Sequence, residues 1–326
     1  MAKTRVKAVS YAKYGYLFSL PFIVAYLIFS LYPTLYTAVI GFTDLKGVAR
    51  NFKFLAEPFK NFSIILNNVT FQNSLVNTFE IWIMNFIPQI ALSLLLTAWF
   101  TSRARRIRCQ GAFKVLFYLP NIITSATVAI LFATMFGYPI GPINDILVST
   151  GMIEAPFNFL TSPIAAKLVV AFIQFWKWYG YTTIVLISGA LGINPELFES
   201  AEIDGARPSQ IFFRITLPCM RTILVFTLIT SLIGGLNMFD IPKLYIMDGG
   251  PADATKTASV FIYTQAFKGA YLYNRAAAAS MIMFVIIAIC SAVVFFIMRD
   301  KHEVQQKRDE RRAKRIHSKR LEGLAE

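Results

Sequence analysis

Residues 199–218 read "ESAEIDGARPSQIFFRITLP", and residues 194–198, "NPELF", lead into them. The first half is charged and polar, and the second half is apolar. Asn194 is a good N-cap and Pro195 suits a first helical position. Glu196 and Glu199 fall in early turns, where the helix dipole favours anions. The pattern predicts a short helix from 195 and a positive-φ turn at Gly205. A second short helix is expected from Pro208, with Ile211, Phe212 and Ile215 on its apolar face. Pro218 should break that helix. On residues alone two readings stand: an amphipathic connector lying on a membrane surface, or a compact helix–turn–helix that docks in a groove of a soluble partner.

The rest of the chain supplies the membrane. The 326 residues are 56% hydrophobic and only 15% charged, with a mean hydropathy of +0.55. An ordinary soluble domain is excluded by those values, and a polytopic helical membrane protein fits them. The formal charge is +14, from 32 Lys+Arg against 18 Asp+Glu. In a soluble protein that would suggest nucleic acid. Here the basic residues flank apolar spans, so they report topology and no nucleic-acid partner is expected. Cys109, Cys219 and Cys290 are far apart and lack ligand spacing, so no metal site is expected. His302 and His317 both lie in the basic C-terminal tail, which excludes histidine chemistry within the spans.

Tyr14 to Thr43 carries no charge. It is too long for a signal-peptide core and reads as a retained span. Crossing the hydrocarbon takes roughly 20 apolar residues. The segments 16–42, 78–101, 115–136, 167–191, 221–241 and 277–298 qualify, the fourth interrupted by Lys177. Lys3, Arg5, Lys7 and Lys13, then "RARRIR" (103–108), then Arg207, Arg214 and Arg221, and the tail after Arg299 all fall on one side. The opposite loop 137–166 has no Lys or Arg before Lys167. The positive-inside bias makes the basic side cytoplasmic. The expected architecture is therefore all-α: a cytoplasmic segment 1–13, a six-span domain 14–298 with a cytoplasmic loop 194–218, and a basic helical tail 299–326 that also touches anionic lipid. "GYPIGPIND" (137–145) predicts a short outer structure and "MDGGPA" (247–252) a tight outer turn.

Much chemistry is missing from the sequence. There is no Gly-x-x-x-x-Gly-Lys-[Ser/Thr], so no Walker-type phosphate loop. There is no His-Glu-x-x-His, no Gly-x-Ser-x-Gly and no paired carboxylates within a span. Transport or scaffolding remains.

The spacing of the opening stretch resembles the cytoplasmic "EAA" loop of importer-type ABC permeases, Glu-Ala-Ala-x3-Gly-x9-Ile-x-Leu-Pro. Glu199, Ala201, Gly205, Ile215, Leu217 and Pro218 fit every interval, and Ser200 departs from the usual Ala. "ESAEIDGA" followed by "FFRITLP" is similar to the carbohydrate-uptake branch, the maltose-type and multiple-sugar permeases. "YLFSLPFIVAYLIFSLYPTLYTAVIGFTDL" (16–45), "FYLPNIITSATVAILFATMF" (117–136) and "FDIPKLYIMDGGP" (239–251) resemble other parts of that branch, in its compact six-span form.

The resemblance implies a type I ABC importer permease in a bacterial cytoplasmic membrane. A second permease subunit, expected to differ from this one, would complete the pathway. An ABC ATPase dimer would hydrolyse ATP with Mg below it, so this chain would bind no cofactor and be no enzyme. An external sugar-binding protein would deliver the solute. The 199–218 loop would dock on one ATPase, with Glu199 at its cleft, Gly205 setting the turn, Asp204 capping it, and Ser200 and Ala201 small enough to pack closely.

Sugar sites pair aromatic faces with a few amides or carboxylates. The fourth span offers "FIQFWKWYGY" (172–181), and the resemblance points to Trp176, Trp178 and Tyr181 there; Lys177 is an expensive group at that depth. The fifth span ends "GGLNMFDIP" (234–242), where Gly234 and Gly235 allow close helix approach and Asn237, Phe239 and Asp240 are candidates. An interfacial aromatic belt and a helix-end cap are the plain alternatives for these two groups. The rival functions are a permease for another solute, such as a glycerol-phosphate ester or polyamine, and a non-ABC carrier or scaffold.

Overall fold

Uncharged runs this long satisfy their backbone only as helices once water is removed. In the computed structural model the regular structure is helical, apart from a lone bridge between Thr43 and Phe54. Residues 12–48, 51–102, 108–246 and 249–299 are described. The N-terminal basic residues before Lys13, most of "RARRIR" and the tail from 300 lie outside them.

In chain order the helices are α1 (Lys13–Ile40), which contains a π turn at Leu27–Leu31, α2 (Lys60–Leu66), α3 (Val69–Phe100), α4 (Gln110–Ile122) and α5 (Ser125–Met135). Then come α6 (Pro142–Ser149), α7 (Pro163–Leu191), α8 (Pro195–Ile203), α9 (Pro208–Ile211), α10 (Arg221–Leu236), α11 (Asp240–Tyr245), α12 (Ala258–Phe267) and α13 (Tyr273–Met298). Among the described residues four helical runs are long and apolar enough to cross a membrane: α1, α3, Arg221–Tyr245 and α13. The bent pair α4–α5 makes a fifth if counted as one span.

Two expected spans differ in form. The third, read as one run over 115–136, is broken and turns through 91° between Ile122 and Ser125. Ile123 and Thr124 are extended, and Thr124 Oγ1 accepts from the Thr127 amide at 3.3 Å, which caps a new helix. Pro120 removes a donor from the preceding turn. The fourth, α7, runs unbroken through Lys177 for 29 residues, about 43 Å. It has the length of a span but is not among the most apolar ones, because Lys167, Gln174, Lys177 and a Trp/Tyr/Thr centre dilute it.

The chain divides into two compact units. One holds residues up to Leu75 together with Ala258–Val285. Its core is Ile65, Phe71, Phe261, Ala278 and Ala279. Asn61 is buried there and donates to the carbonyls of Gly41 (2.9 Å) and Thr43 (2.8 Å), while Asn274 donates to Asn61 Oδ1. These bonds tie the end of α1 to α2 and α13. None of the most apolar window of α1 is buried, and a helix apolar on all sides has lipid or another protein to face.

The second unit holds Val76–Thr257 with the residues from Ile286 onward. Its main core joins Ile81 of α3, Phe132 of α5, Val170 and Ile173 of α7, and Ile241 of α11. α4 packs along α7 at very short range: a Cβ at Gly180 would lie 1.7 Å from the Phe117 carbonyl oxygen. Only glycine permits that approach. Gly235 plays the same part against the Trp82 indole, where an added Cβ would lie 1.9 Å from the ring. Gly234, expected to share that role, has nothing within 4 Å; its face is open.

The loop 137–164 is ordered around Asn144, which is fully buried. Its amide donates to the carbonyls of Gly137 (2.8 Å) and Phe157 (3.1 Å), and its oxygen accepts from the Phe157 amide at 2.8 Å. At "MDGGPA", Gly249 and Gly250 take φ of 95° and 68°, and the Thr255 amide reaches the Gly249 carbonyl at 2.9 Å.

Candidate functional site: a polar cleft and the 194–218 loop

A cleft of about 410 Å3 opens in the second unit, lined from α3, α5, α7, α10 and α11. From α7 come Gln174, Lys177, Trp178, Tyr181, Thr182 and Val185. Their spacing of three and four residues is one helix face. Trp178 and Tyr181 are 42% and 38% exposed and meet edge to face at 5.8 Å. Phe226, Thr227, Thr230, Ser231 and Gly234 line it from α10, Asn85 and Gln89 from α3. Asn237, Phe239 and Asp240 close the α10–α11 end.

Polar contacts brace these walls. Gln89 Nε2 donates to Thr182 Oγ1 at 2.7 Å, and Ser93 Oγ to the Tyr179 carbonyl at 2.9 Å, fixing α3 against α7. Lys177 Nζ donates to Ser125 Oγ, and Ser125 Oγ donates to Asp240 Oδ2 at 3.0 Å. A lysine at membrane depth is costly unless paired. Here the α4–α5 break puts Ser125 between it and a carboxylate on α11. Asn237 caps the end of α10, its amide donating to the Ile233 carbonyl at 3.0 Å, and also faces the cleft.

The cleft thus gathers Lys177, Trp178, Tyr181, Asn237, Phe239 and Asp240 of the expected residues. Trp176 lies off that face, about 200° around the helix from Trp178 at 100° per residue. It packs edge to face on Phe132 at 5.3 Å, against the main core. Gln174 lies in the stretch 172–181 picked out above, whereas Thr182, Asn85, Gln89 and the α10 hydroxyls were not anticipated. The i, i+4 pair Asn85/Gln89 in an apolar span and the Thr227/Thr230/Ser231 stripe carried the signal. Aromatic side chains beside amides and hydroxyls suit the C–H faces and hydroxyl edges of a carbohydrate.

The 194–218 loop begins as the sequence predicts. Asn194 Oδ1 accepts from the Glu196 amide at 3.1 Å, and α8 starts at Pro195. Gly205 has φ of 73°. Its amide bonds the Glu202 carbonyl at 3.1 Å, and the Ala206 amide bonds the Ala201 carbonyl at 2.9 Å. This is a Schellman closure with Asp204 as the C-cap residue. Arg207 starts α9, its amide donating to Gln210 Oε1 at 2.8 Å.

Pro218 does not stop that helix. The chain passes from α9 through a π turn, Phe212–Thr216, into a helical turn Leu217–Cys219 and breaks only at Met220, with φ −90° and ψ 16°. The π turn bonds the Leu217 amide to the Phe212 carbonyl. Its extra residue accommodates a ring that lacks an N–H. Ala201 is buried, Ile215 and Leu217 are half-buried, and Glu199, Ser200, Asp204, Gly205 and Pro218 are exposed. Leu217 packs against Leu186, Ala190, Met220 and Leu224. Ile203 (87%) and Phe213 (65%) turn apolar surface outward.

Comparison with known proteins fits this geometry. The family described as "Binding-protein-dependent transport system inner membrane component" matches residues 78–303. The lactose transport system permease protein LacF of Rhizobium radiobacter is 30% identical over 288 residues, 88% of this chain and 94% of LacF. The arabinooligosaccharides transport system permease protein AraP of Bacillus subtilis (strain 168) is 28% identical over 282 residues, 85% of this chain and 86% of AraP. A chain of the bacterial alginate ABC transporter, solved in complex with an alginate pentasaccharide-bound periplasmic protein, superposes with a TM-score of 0.71 at 25% identity, covering 87% of this chain and 93% of that one. The protein belongs to the binding-protein-dependent inner-membrane permeases, in the carbohydrate-uptake branch of ABC importers: a multi-pass permease subunit of a sugar importer, without ATPase activity of its own.

Proposed function

We propose that this chain forms half of an oligosaccharide pathway and passes motion to it from a partner ATPase. The observation that carries the reading is the cleft, where one face of α7 sets Trp178 and Tyr181 beside Gln174, Thr182 and Asn237. The sugar stacks its C–H faces on the two rings and trades hydroxyl hydrogen bonds with the amides. In this reading α1, α3, α4–α5, α7, α10–α11 and α13 are six spans, with both termini and 194–218 cytoplasmic. The charge bias of the sequence supports that orientation. A second permease subunit, different from this one, completes the pathway, and an external sugar-binding protein loads it. AraP and the alginate transporter handle oligomeric sugars, which favours an oligosaccharide here.

Coupling runs through 199–218. The Gly205 closure and the π turn make a hydrogen-bonded two-helix element whose exposed Glu199, Ile203 and Phe213 can seat in a groove on an ABC ATPase dimer using ATP and Mg. Glu199 supplies the polar contact, and Leu217 passes the movement into α7 and α10. The experiment is Glu199→Lys in the reconstituted transporter. Sugar-stimulated ATP hydrolysis should be lost while membrane insertion is kept. Unaltered stimulation removes the docking role.

A further inference from the structure

We infer that the Lys177–Ser125–Asp240 bridge makes the cleft selective for uncharged saccharides and excludes acidic ones. The inference rests on the cleft being the sugar pathway. Among the described residues lining it, Lys177 and Asp240 are the only Lys, Arg, Asp or Glu. They cancel, and Ser125 joins them by two hydrogen bonds. The remaining polar lining is amide and hydroxyl, which binds sugar hydroxyls without carrying charge.

The bridge also offsets the charges a ligand would meet at this end of the cleft. Lys177 directs one N–H at Ser125, and Asp240 accepts from the same hydroxyl, so the two opposite charges are held close and offset each other. A uronate entering would bring a third charge into a low-dielectric site already balanced. Lys177 has N–H groups to spare for it, but a uronate drawing on that charge would compete with Asp240 for the same counter-charge and leave a net negative charge in the cleft. A neutral saccharide meets no such penalty. The specificity is therefore set by Asp240 through its hold on Lys177. Asp240→Asn should free a positive charge, and Lys177→Gln a negative one.

The test uses the assembled transporter with Cys109, Cys219 and Cys290 replaced by Ala and Thr230→Cys added on the cleft wall. Modification rates are measured with methanethiosulfonates bearing a trimethylammonium or a sulfonate group, each normalised to its rate with free thiol. The two normalised rates should agree within a few-fold. Asp240→Asn should favour the sulfonate by about tenfold or more, the size expected of one uncompensated charge a few ångströms away. Lys177→Gln should favour the trimethylammonium, and Lys177→Gln/Asp240→Asn should restore parity even if one single variant folds poorly. A second arm measures how far the thiol introduced by Thr230→Cys is protected by neutral arabino- and malto-oligosaccharides and by uronate oligosaccharides of matched length. Protection by neutral sugars that shifts toward uronates in Asp240→Asn supports the inference. Equal or better protection by uronates in the unmutated bridge overturns it, as does a charge preference that Asp240→Asn leaves unmoved. No protection by any saccharide, with the charge profile as expected, instead removes the sugar-pathway reading beneath it.

Discussion

Among the described glycines, Gly180 is where an added Cβ would meet the nearest obstacle, and Gly180→Ala isolates that contact. The added methyl would sit 1.7 Å from the Phe117 carbonyl oxygen and 2.4 Å from its carbon. Both belong to backbone, so no side chain can swing aside. Restoring ordinary contact requires α4 and α7 to part by roughly 1.5 Å or more, given that non-bonded heavy atoms settle near 3.5 Å. Overpacking of this kind costs about 1–3 kcal/mol, and a backbone obstacle places it at the upper end. Replacing glycine inside a helix also returns about 1 kcal/mol of propensity. Gly234→Ala supplies the control, since its methyl meets nothing within 4 Å. Both variants gain the same propensity, so their difference reads the clash alone. Unfolding of the two in one detergent should place Gly180→Ala about 2–3 kcal/mol below Gly234→Ala. Equal stability of the two would refute the close approach of α4 to α7, and with it the placement of the α7 face on the cleft.

Other outcomes follow from single residues. Gly205→Ala puts a Cβ on a residue with φ of 73°, at a cost of about 1 kcal/mol. It should loosen the loop enough to lower sugar-stimulated ATP hydrolysis while insertion into the membrane stays normal; a variant with full stimulation would argue that the turn geometry is idle. Asn144→Ala leaves the Gly137 and Phe157 carbonyls and the Phe157 amide without their partner, at about 0.5–1.5 kcal/mol for each of these part-buried bonds. Amide exchange should rise across 137–160 and not in α10; unchanged exchange there would remove Asn144 as the organiser of that loop.

The sequence makes some of this structure readable and hides the rest for physical reasons. Asn194, Pro195 and Gly205 act within four residues of themselves, so the loop's first helix and its closure follow from local chemistry. Pro218 misleads because a proline ring is compatible with a helix when a π turn precedes it, and nothing in "FFRITLP" announces that turn. The bend between α4 and α5 is similar: Thr124 can cap a helix or sit inside one, and in an apolar run the choice falls to packing. The face of α7 is fixed by periodicity once one member is known, yet periodicity does not say which face is open. Trp176 and Trp178 look alike in sequence and part company only when Phe132 claims the first. Gly180 gave no signal, since a lone glycine in a span does not name the backbone it meets.

The claim on which the account depends is that sugar travels along the α7 face. Trp178→Ala in proteoliposomes holding the complete transporter, with its binding protein and labelled oligosaccharide, tests it most directly. Loss of a stacking ring should lower uptake by about two- to tenfold, since such aromatic contacts are worth about 0.5–1.5 kcal/mol beyond the area they bury. Trp176→Ala, removing a core contact, should lower stability instead. Wild-type uptake by Trp178→Ala, in a complex that assembles normally, would contradict the account and send the pathway elsewhere.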